Sequence, residues 1–198
     1  LIPPLDKKRI VLGISGSIAC YKAADLASKL AQAGALVDTV ITKSAANFVT
    51  PLTFQSVTGR NAYADVDLWA AQAHVLHVVL AKEADLLVIA PATANVLAKL
   101  AHGLADDLLG LTALSATCPI LVAPAMDGGM WVNPATQENV KLLKKRGILF
   151  IGPETGHLAS GLDYMGRMTE PQEILGHIRY LLSRNGPLKG KKIVVTAS

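Results

Sequence analysis

The chain has 198 residues, of which 51% are hydrophobic and 17% charged. That length suits one α/β domain and is too short for two full ones. The mean hydropathy is +0.38, yet the longest apolar runs, at residues 86–92 and 119–126, fall far below the roughly 20 residues of a membrane-spanning helix. We therefore expect no membrane insertion, and we expect the apolar surplus to lie in a buried parallel sheet or a subunit interface.

The formal net charge is +4, and the basic residues are scattered without aromatic neighbours. This distribution does not indicate a nucleic-acid surface, whereas mild basicity suits anionic small molecules. The two cysteines, Cys20 and Cys118, lie in apolar segments outside any C-x-x-C pattern. They predict two reduced, buried thiols in a cytoplasmic protein.

Apolar runs alternate with amphipathic stretches along the whole chain. In chain order they predict a strand at residues 9–14, a helix at 18–33, a strand at 36–41, only short elements in the turn-rich stretch 42–67, a helix at 74–84, a strand at 85–90, helices at 94–102 and 106–116, a strand at 119–123, a helix at 134–146, a strand at 148–151 and a helix at 171–183. Short apolar strands separated by helices predict an α/β fold, a Rossmann-like (flavodoxin-like) open parallel sheet with helices on both faces.

An Asn-Gly-Pro sequence at residues 185–187 interrupts this alternation. A new apolar strand is predicted at residues 191–196, and no further element follows it. We therefore expect one domain over residues 1–184, with residues 185–198 forming a linker and the first strand of a truncated second domain.

Ligands of such sheets bind beyond the carboxyl ends of the strands, and polar signals collect there in this sequence. The first strand runs into G-I-S-G-S-I-A at residues 13–19, where glycines allow close approach of a ligand and a helix N-terminus offers N–H groups to an anion. A plain tight turn explains this segment equally well. The second strand runs into Thr42, Lys43 and Ser44, which suit the phosphate of FMN or the 2′-phosphate of NADP better than a ribose diol. A helix N-cap at Ser44 is the structural alternative.

Two later strand ends carry small and polar motifs, P-A-T-A-N at residues 91–95 and P-A-M-D-G-G-M-W at 124–131. Core packing explains Met126 or Trp131 singly, but not the whole second string. His77 lies in an apolar helix, where a lone histidine is usually a satisfied core residue and less often a catalytic one. His74 shares its face, but no carboxylate or cysteine completes a metal site, so we predict no metal.

Together these segments resemble the homo-oligomeric flavin-containing cysteine decarboxylases, and within them the decarboxylase part of the bifunctional coenzyme A biosynthesis proteins. The resemblance includes a substrate-clamp segment at residues 156–168, and the tail at 188–196 is similar to the opening of a fused phosphopantothenate–cysteine ligase domain. It implies decarboxylation of 4′-phosphopantothenoylcysteine to 4′-phosphopantetheine. FMN accepts a hydride in the first half of that reaction and returns it in the second.

The resemblance also implies residue roles and an assembly. FMN would lie between the subunits of a homotrimer, or of a dodecamer built from trimers. His77 would be the acid/base residue, and the clamp position Ser160 would serve the final reduction. Substrate would be bound by Asp127, Met130 and Arg167, and FMN by Gly16, Ser17, Ile18, Thr42, Ser44, Phe48, Thr93, Ala94, Asn95 and Ala125.

Two positions depart from the family pattern. Asp127 replaces an asparagine that holds the substrate carboxylate, and two neighbouring carboxylates disfavour each other's ionisation. Ser160 replaces a cysteine that donates the last proton, and a hydroxyl is a far weaker acid than a thiol, whose pKa is about 8.5. The final proton would then come from Tyr164 or water, or the enethiol would be released. A peptidyl-cysteine decarboxylase, a flavin prenyltransferase-like enzyme and a catalytically impaired FMN-binding regulator are the alternatives.

Overall fold

The computed structural model describes residues 5–69, 75–157, 161, 163–184, 186, 189–192 and 194. Six strands form one parallel sheet: β1 (Arg9–Ile14), β2 (Leu36–Ile41), β3 (Ala62–Ala64), β4 (Leu86–Ala92), β5 (Ile120–Pro124) and β6 (Leu149–Phe150). Their order in the sheet is β3-β2-β1-β4-β5-β6, the Rossmann order of a doubly wound fold. The predicted fold class is therefore confirmed.

Eight helices and a hairpin surround or extend this sheet within the described part of the chain. The helices are α1 (Cys20–Gln32), α2 (Pro51–Thr58), α3 (Leu76–Glu83), α4 (Ala94–His102), α5 (Leu108–Ser115), α6 (Gly128–Val132), α7 (Pro134–Lys145) and α8 (Pro171–Ser183). Short 3₁₀ turns occur at Ala45–Asn47 and Asp65–Trp69. The antiparallel strands β7 (Glu154–His157) and β8 (Asp163–Arg167) form a separate two-stranded sheet.

The core consists of two apolar layers, one on each face of the sheet. Helices α1, α2 and α8 cover one face, where Leu26, Phe54 and Ile178 are fully buried. Helices α3, α4, α5 and α7 cover the other face, and Leu97 and Leu108 are fully buried there. Strands β4 and β5 are buried throughout, as expected for parallel strands covered on both sides.

Most predicted elements lie within two residues of the observed ones, and the strands at residues 9–14 and 36–41 and the helices at 94–102 and 171–183 match their predictions. The stretch 42–67 also holds a sheet strand, β3, which was not predicted. The clamp segment forms the β7–β8 hairpin, and α6 was likewise not predicted. Of the strand predicted at 191–196, residues 193, 195 and 196 lie outside the described residues, and the described ones have no strand assignment. The domain boundary at residue 185 stays a prediction.

Both cysteines are free thiols, but only Cys20 is fully buried, whereas Cys118 is half-buried at the start of β5. Burial raises the pKa of both thiols. Within the described ranges no helix is long and apolar enough to cross a membrane.

Candidate functional site

The parallel strands bring their carboxyl ends to one edge of the sheet. The strand order reverses between β1 and β4, which lie side by side at the centre. The connection after β1 leads to α1 on one face, and the connection after β4 leads to α4 on the other. Such a switch point leaves a crevice beyond the strand ends, which is where ligands bind in open α/β sheets.

Buried hydrogen bonds tie the loops after β1 and β4 to each other. Ser15 is fully buried; its Oγ donates to the backbone oxygen of Pro91 at 2.7 Å and accepts from the backbone N–H of Thr93 at 3.0 Å. Thr93 in turn caps α4, because its hydroxyl accepts from the N–H of Val96. The N-terminus of α4 is therefore fixed relative to the loop that follows β1.

Gly16 brings the loop after β1 against the loop after β2. A Cβ at Gly16 would lie 2.5 Å from Ser44 Cβ and 2.8 Å from its backbone carbon, so no larger residue fits without moving backbone. Next to this contact, the hydroxyl oxygens of Thr42 and Ser44 are 3.2 Å apart. Three strand ends thus form one rigid structure, which we call the cradle: residues 15–17, 42–44 and 93–95.

A cavity of about 460 Å³ opens on the α4 side of the cradle, and Thr42, Ser44 and Asn95 line it. Lys99, at its far side, lies 2.6 Å from Asp106 and 2.8 Å from Asp107. The hydrogen bond that Lys99 donates to Asp106, followed by the one that it donates to Asp107, raises the pKa of Lys99. On the cradle side, hydroxyls, amides and a helix N-terminus face this space, and they are donors that suit a phosphate. The carboxylates of Asp65, Asp106 and Asp107 also line it.

A second cavity, of about 210 Å³, lies on the α1 side. Its walls include Ser17, Lys22, Ala125, Asp127, His157 and Arg167. The predicted FMN residues therefore divide between two openings at the same edge of the sheet. Ser17 and Ala125 face the second cavity, and Thr42, Ser44 and Asn95 face the first.

The β7–β8 hairpin forms the outer wall of the second cavity, and we keep the name clamp for it. The N–H of Met126 donates to the backbone oxygen of Gly166 at 3.0 Å. Gly128 lies under Tyr164, since a Cβ there would be 2.5 Å from the ring carbon Cδ1. The clamp is thereby docked on the P-A-M-D-G-G-M-W segment, although Tyr164 does not itself line the cavity.

Asp127 lies between the cradle and the clamp. Its side chain is exposed, and Oδ1 accepts a 2.9 Å hydrogen bond from the N–H of Gly129, which caps α6. An asparagine oxygen makes the same cap, so capping does not explain the aspartate. Met130 is 49% exposed on α6. Ser160 lies outside the described residues.

His77 does not line either cavity of the single chain. It lies near the N-terminus of α3, which packs on α5, and its Nδ1 is buried without a hydrogen-bond partner among the described residues. His74 lies outside those residues. A buried histidine nitrogen usually has a hydrogen-bond partner, and residues 70–74, which directly precede this helix, are outside the described part of the chain. The choice between a core and a catalytic His77 therefore stays a prediction. Several apolar side chains at the same edge are exposed, including Ile18 at 61% and Phe48 at 50%.

Lys22 is the cavity residue that the sequence analysis missed. Its side chain is 7% exposed, and Nζ donates to Glu170 at 2.8 Å and to the backbone oxygen of Met168 at 3.1 Å. Arg167 also pairs with Glu170. The only signal in the sequence is a lysine four residues after Ile18, on the apolar face of a helix.

Comparisons with known proteins agree with this geometry. Residues 3–183 match the family described as Flavoprotein. The coenzyme A biosynthesis bifunctional protein CoaBC of Bacillus subtilis is 44% identical over 195 residues, covering 98% of this chain and 48% of the relative. CoaBC of Mycobacterium tuberculosis is 43% identical over 194 residues, covering 96% of this chain and 46% of the relative. The chain thus spans about half the length of the curated relatives that it matches.

Solved structures are similar over nearly their whole length. A cysteine-to-serine mutant of PPC decarboxylase, complexed with pantothenoylaminoethenethiol, has a TM-score of 0.82 and 39% identity, covering 88% of this chain and 98% of that one. The FMN binding protein AtHal3 has a TM-score of 0.79 and 37% identity, covering 88% and 96%. The FMN-dependent cysteine decarboxylase SpaF has a TM-score of 0.77 and 32% identity, covering 90% and 99%.

Proposed function

Because the chain belongs to the flavoprotein family, we propose that it is an FMN-dependent decarboxylase that converts 4′-phosphopantothenoylcysteine to 4′-phosphopantetheine in coenzyme A biosynthesis. The observation that carries the proposal is 39% identity over a shared fold with a PPC decarboxylase, of which this chain covers 98%. The CoaBC relatives support the same pathway. The reaction would take place in the cytoplasm, and the chain would correspond to the decarboxylase part of a longer bifunctional protein.

The cradle fits FMN. At Gly16 the loop after β1 packs so closely on Ser44 that a Cβ does not fit. The hydroxyl oxygens of Thr42 and Ser44 lie 3.2 Å apart, and both residues line the first cavity. These donors suit a phosphomonoester. The three carboxylates of the same cavity have partners within the chain: Asp65 accepts from the N–H groups of Lys43 and Leu108, and Asp106 and Asp107 pair with Lys99. The residues that we propose to hold FMN are Gly16, Ser17, Ile18, Thr42, Ser44, Phe48, Thr93, Ala94, Asn95 and Ala125.

When bound, FMN supplies reversible hydride transfer, and the chain's own residues orient the substrate and move its protons. Oxidation of the carbon that bears sulphur removes a hydride and the thiol proton. We assign that proton to the imidazole of His77. We assign substrate binding to Arg167, which lines the second cavity and whose guanidinium is suited to a carboxylate, and to Met130, which is exposed on α6. The resulting thioaldehyde accepts the electron pair left when CO2 departs, which gives an enethiol.

His77 reaches a substrate only if a second chain supplies it, and this is our reason for proposing a homotrimer or a dodecamer of trimers. In one chain His77 lies away from both cavities, with Nδ1 buried and unpartnered among the described residues. Ile18 and Phe48, at the cradle, are at least half exposed. A neighbouring subunit would cover these apolar side chains and complete the site.

Product analysis tests the reaction. The FMN-loaded protein is incubated with 4′-phosphopantothenoylcysteine, and CO2 and thiol products are measured by mass spectrometry. We expect CO2 release from this substrate and little from a peptide that ends in cysteine. SpaF is a cysteine decarboxylase of the same fold, so preferential turnover of the peptide would replace our proposal with the second candidate. A colourless protein that gains no flavin absorbance with FMN would refute both.

A mixing experiment tests the shared site. His77→Asn should bind FMN and lack activity, and Gly16→Ala should keep His77 but bind FMN too weakly to be loaded at a limiting FMN concentration. Hybrid oligomers assembled from equal amounts of both contain intact sites at some interfaces, and random assortment predicts recovery of about a quarter of wild-type activity. If hybrids of verified trimeric mass recover no activity, His77 and FMN belong to a site within one chain. If analytical ultracentrifugation shows a monomer, the proposed assembly is excluded.

A further inference from the structure

The last step of the proposed reaction needs an acid, and this inference rests on that proposed function. Reduction of the enethiol adds a hydride from reduced FMN to the carbon that bears sulphur and a proton to the neighbouring carbon, so that a saturated thiol and oxidised FMN result. The position that the family resemblance gives to a donor thiol is Ser160 in this chain. A serine hydroxyl is too weak an acid to replace a thiol.

The second cavity contains several side chains with protons, and most are unsuited to this step. Lys22 is buried, and its ammonium group is bound to Glu170 and the Met168 oxygen. Arg167 pairs with Glu170, and a guanidinium does not release its proton in proteins. Tyr21 lines the cavity as well, but a phenol has an ordinary pKa of about 10.

Tyr164, the alternative donor on the clamp, is placed differently. Its ring packs against Gly128, where it occupies the space of the missing Cβ, and it does not belong to the walls of the cavity. Its position therefore serves the docking of the clamp on α6.

His157 combines position and acidity. It is the last residue of β7, it lines the cavity together with Asp127 and Ser17, and it precedes Ser160 by three residues in the same clamp. Histidine is the side chain that exchanges protons near neutral pH. Its cross-strand partner is Asp163, with Nδ1 at 3.7 Å from Oδ1. Because Asp163 lies on the Nδ1 side of the ring, Nε2 is the ring nitrogen left to contact a substrate.

We propose that His157 is the catalytic acid of the final reduction, donating its Nε2 proton to the enethiol carbon in place of the thiol that this chain lacks, with Asp163 as its positioning residue. The His157 side chain is 74% exposed, so solvent can restore its proton after each turnover. The charged and titratable groups that face it are Asp163 and Arg167 on β8, Asp127 before α6, and Lys22 and Tyr21 on α1.

Product ratios test the proposal. In a single turnover of FMN-loaded His157→Gln without oxygen we expect CO2 release within about twofold of wild type but reduction slowed at least about 100-fold, the usual contribution of a general acid, so the enethiol and reduced flavin accumulate together. Adding Ser160→Cys to His157→Gln should restore the saturated thiol. His102→Gln, on the exposed end of α4, is the matched control and should change nothing.

A spectroscopic measurement complements turnover. In the FMN-loaded protein, the Hε1 resonance of His157 should shift when 4′-phosphopantetheine is added, and Asp163→Asn should reduce that shift. An unchanged product ratio in His157→Gln overturns the proposal, as does enethiol release in Tyr164→Phe alone. If the Hε1 resonance of His157 does not shift in the wild-type protein, the proposal also fails, and this result does not depend on the folding of any variant. If wild type releases no CO2 from 4′-phosphopantothenoylcysteine, the proposed function itself fails; CO2 release with an unaffected ratio refutes only the role of His157.

Discussion

The cradle and the clamp are held in place in different ways. The cradle loops continue buried central strands and are joined by the buried Ser15 hydroxyl and by the backbone-limited contact of Gly16 with Ser44. The clamp lies outside the main sheet, and β8 docks on the β5 loop through the Met126–Gly166 hydrogen bond and the ring of Tyr164. A methyl at Gly16 would therefore meet the backbone of a loop that continues the central sheet, whereas a methyl at Gly128 would meet Tyr164 of the clamp, which lies outside that sheet. We expect the first to affect the cofactor and the second to affect the substrate.

The largest effect is expected from Gly16→Ala. The added methyl would meet the Ser44 backbone carbon at 2.8 Å, and overpacking against backbone costs about 1–3 kcal/mol. FMN affinity should therefore fall about tenfold to a hundredfold, measured by flavin fluorescence titration. Gly176→Ala, on α8 with no atom within 4 Å of the new methyl, is the control and should leave FMN binding unchanged. Equal losses in both variants would mean that Gly16 is not part of the cofactor site.

A smaller effect is expected from Gly128→Ala, and the neighbouring Gly129→Ala is its control. The methyl at 128 would lie 2.5 Å from the Tyr164 ring, whereas the methyl at 129 would be 3.4 Å from the nearest atom, Asp127 Oδ1. The added methyl would also lie 2.7 Å from Tyr164 Cβ, so the clamp itself must shift. This displacement should raise the KM for substrate about threefold to tenfold without loss of FMN, because the clamp lies outside the sheet that carries the cradle. Release of FMN from Gly128→Ala would contradict the separation of cradle from clamp.

The sequence predicted the cradle better than the clamp, for a physical reason. Buried parallel strands leave continuous apolar runs, and the polar residues that follow them stand out, as Thr42 and Ser44 do. Strand β3 has three residues, too few to show a period. The clamp strands are mostly exposed and therefore carry no alternation of apolar and polar residues. Their position depends on tertiary contacts such as Gly128 with Tyr164.

Individual site residues show the same limit. A lysine in a helix is usually exposed, and only the fold shows that Lys22 reaches Met168, 146 positions away along the chain. His157 gave no signal because its cavity is formed by three separate segments, α1, the β5 loop and the clamp. For His77 the sequence allowed a core or a catalytic role, and the structure adds the unpartnered Nδ1.

The smallest effect concerns the joint between cradle and clamp, where Lys22 at the start of α1 meets Glu170 just after β8. The hydrogen bond from Lys22 lowers the pKa of Glu170. A carboxyl with a lowered pKa in the folded state stabilises the protein above its unfolded pKa, and this contribution is lost as the pH falls through the folded value. Glu170→Gln should therefore reduce the free energy of unfolding at neutral pH by about 1–2 kcal/mol, since it leaves the buried ammonium without its charged partner.

Urea unfolding of wild type and Glu170→Gln at neutral pH and below the ordinary glutamate pKa of about 4.3 measures this contribution. The difference between the two proteins should shrink in acid, where Glu170 of the wild type becomes protonated. Glu83→Gln is the control: Glu83 pairs with Arg9 at a site where both side chains are about half exposed, and such pairs contribute about 0–1 kcal/mol. Two outcomes would contradict this account: Glu170→Gln is no more destabilising than Glu83→Gln, or its loss of unfolding free energy does not depend on pH. In either case Lys22 does not join the clamp to α1 through Glu170, and the hydrogen bond to the Met168 oxygen alone accounts for the burial of Lys22.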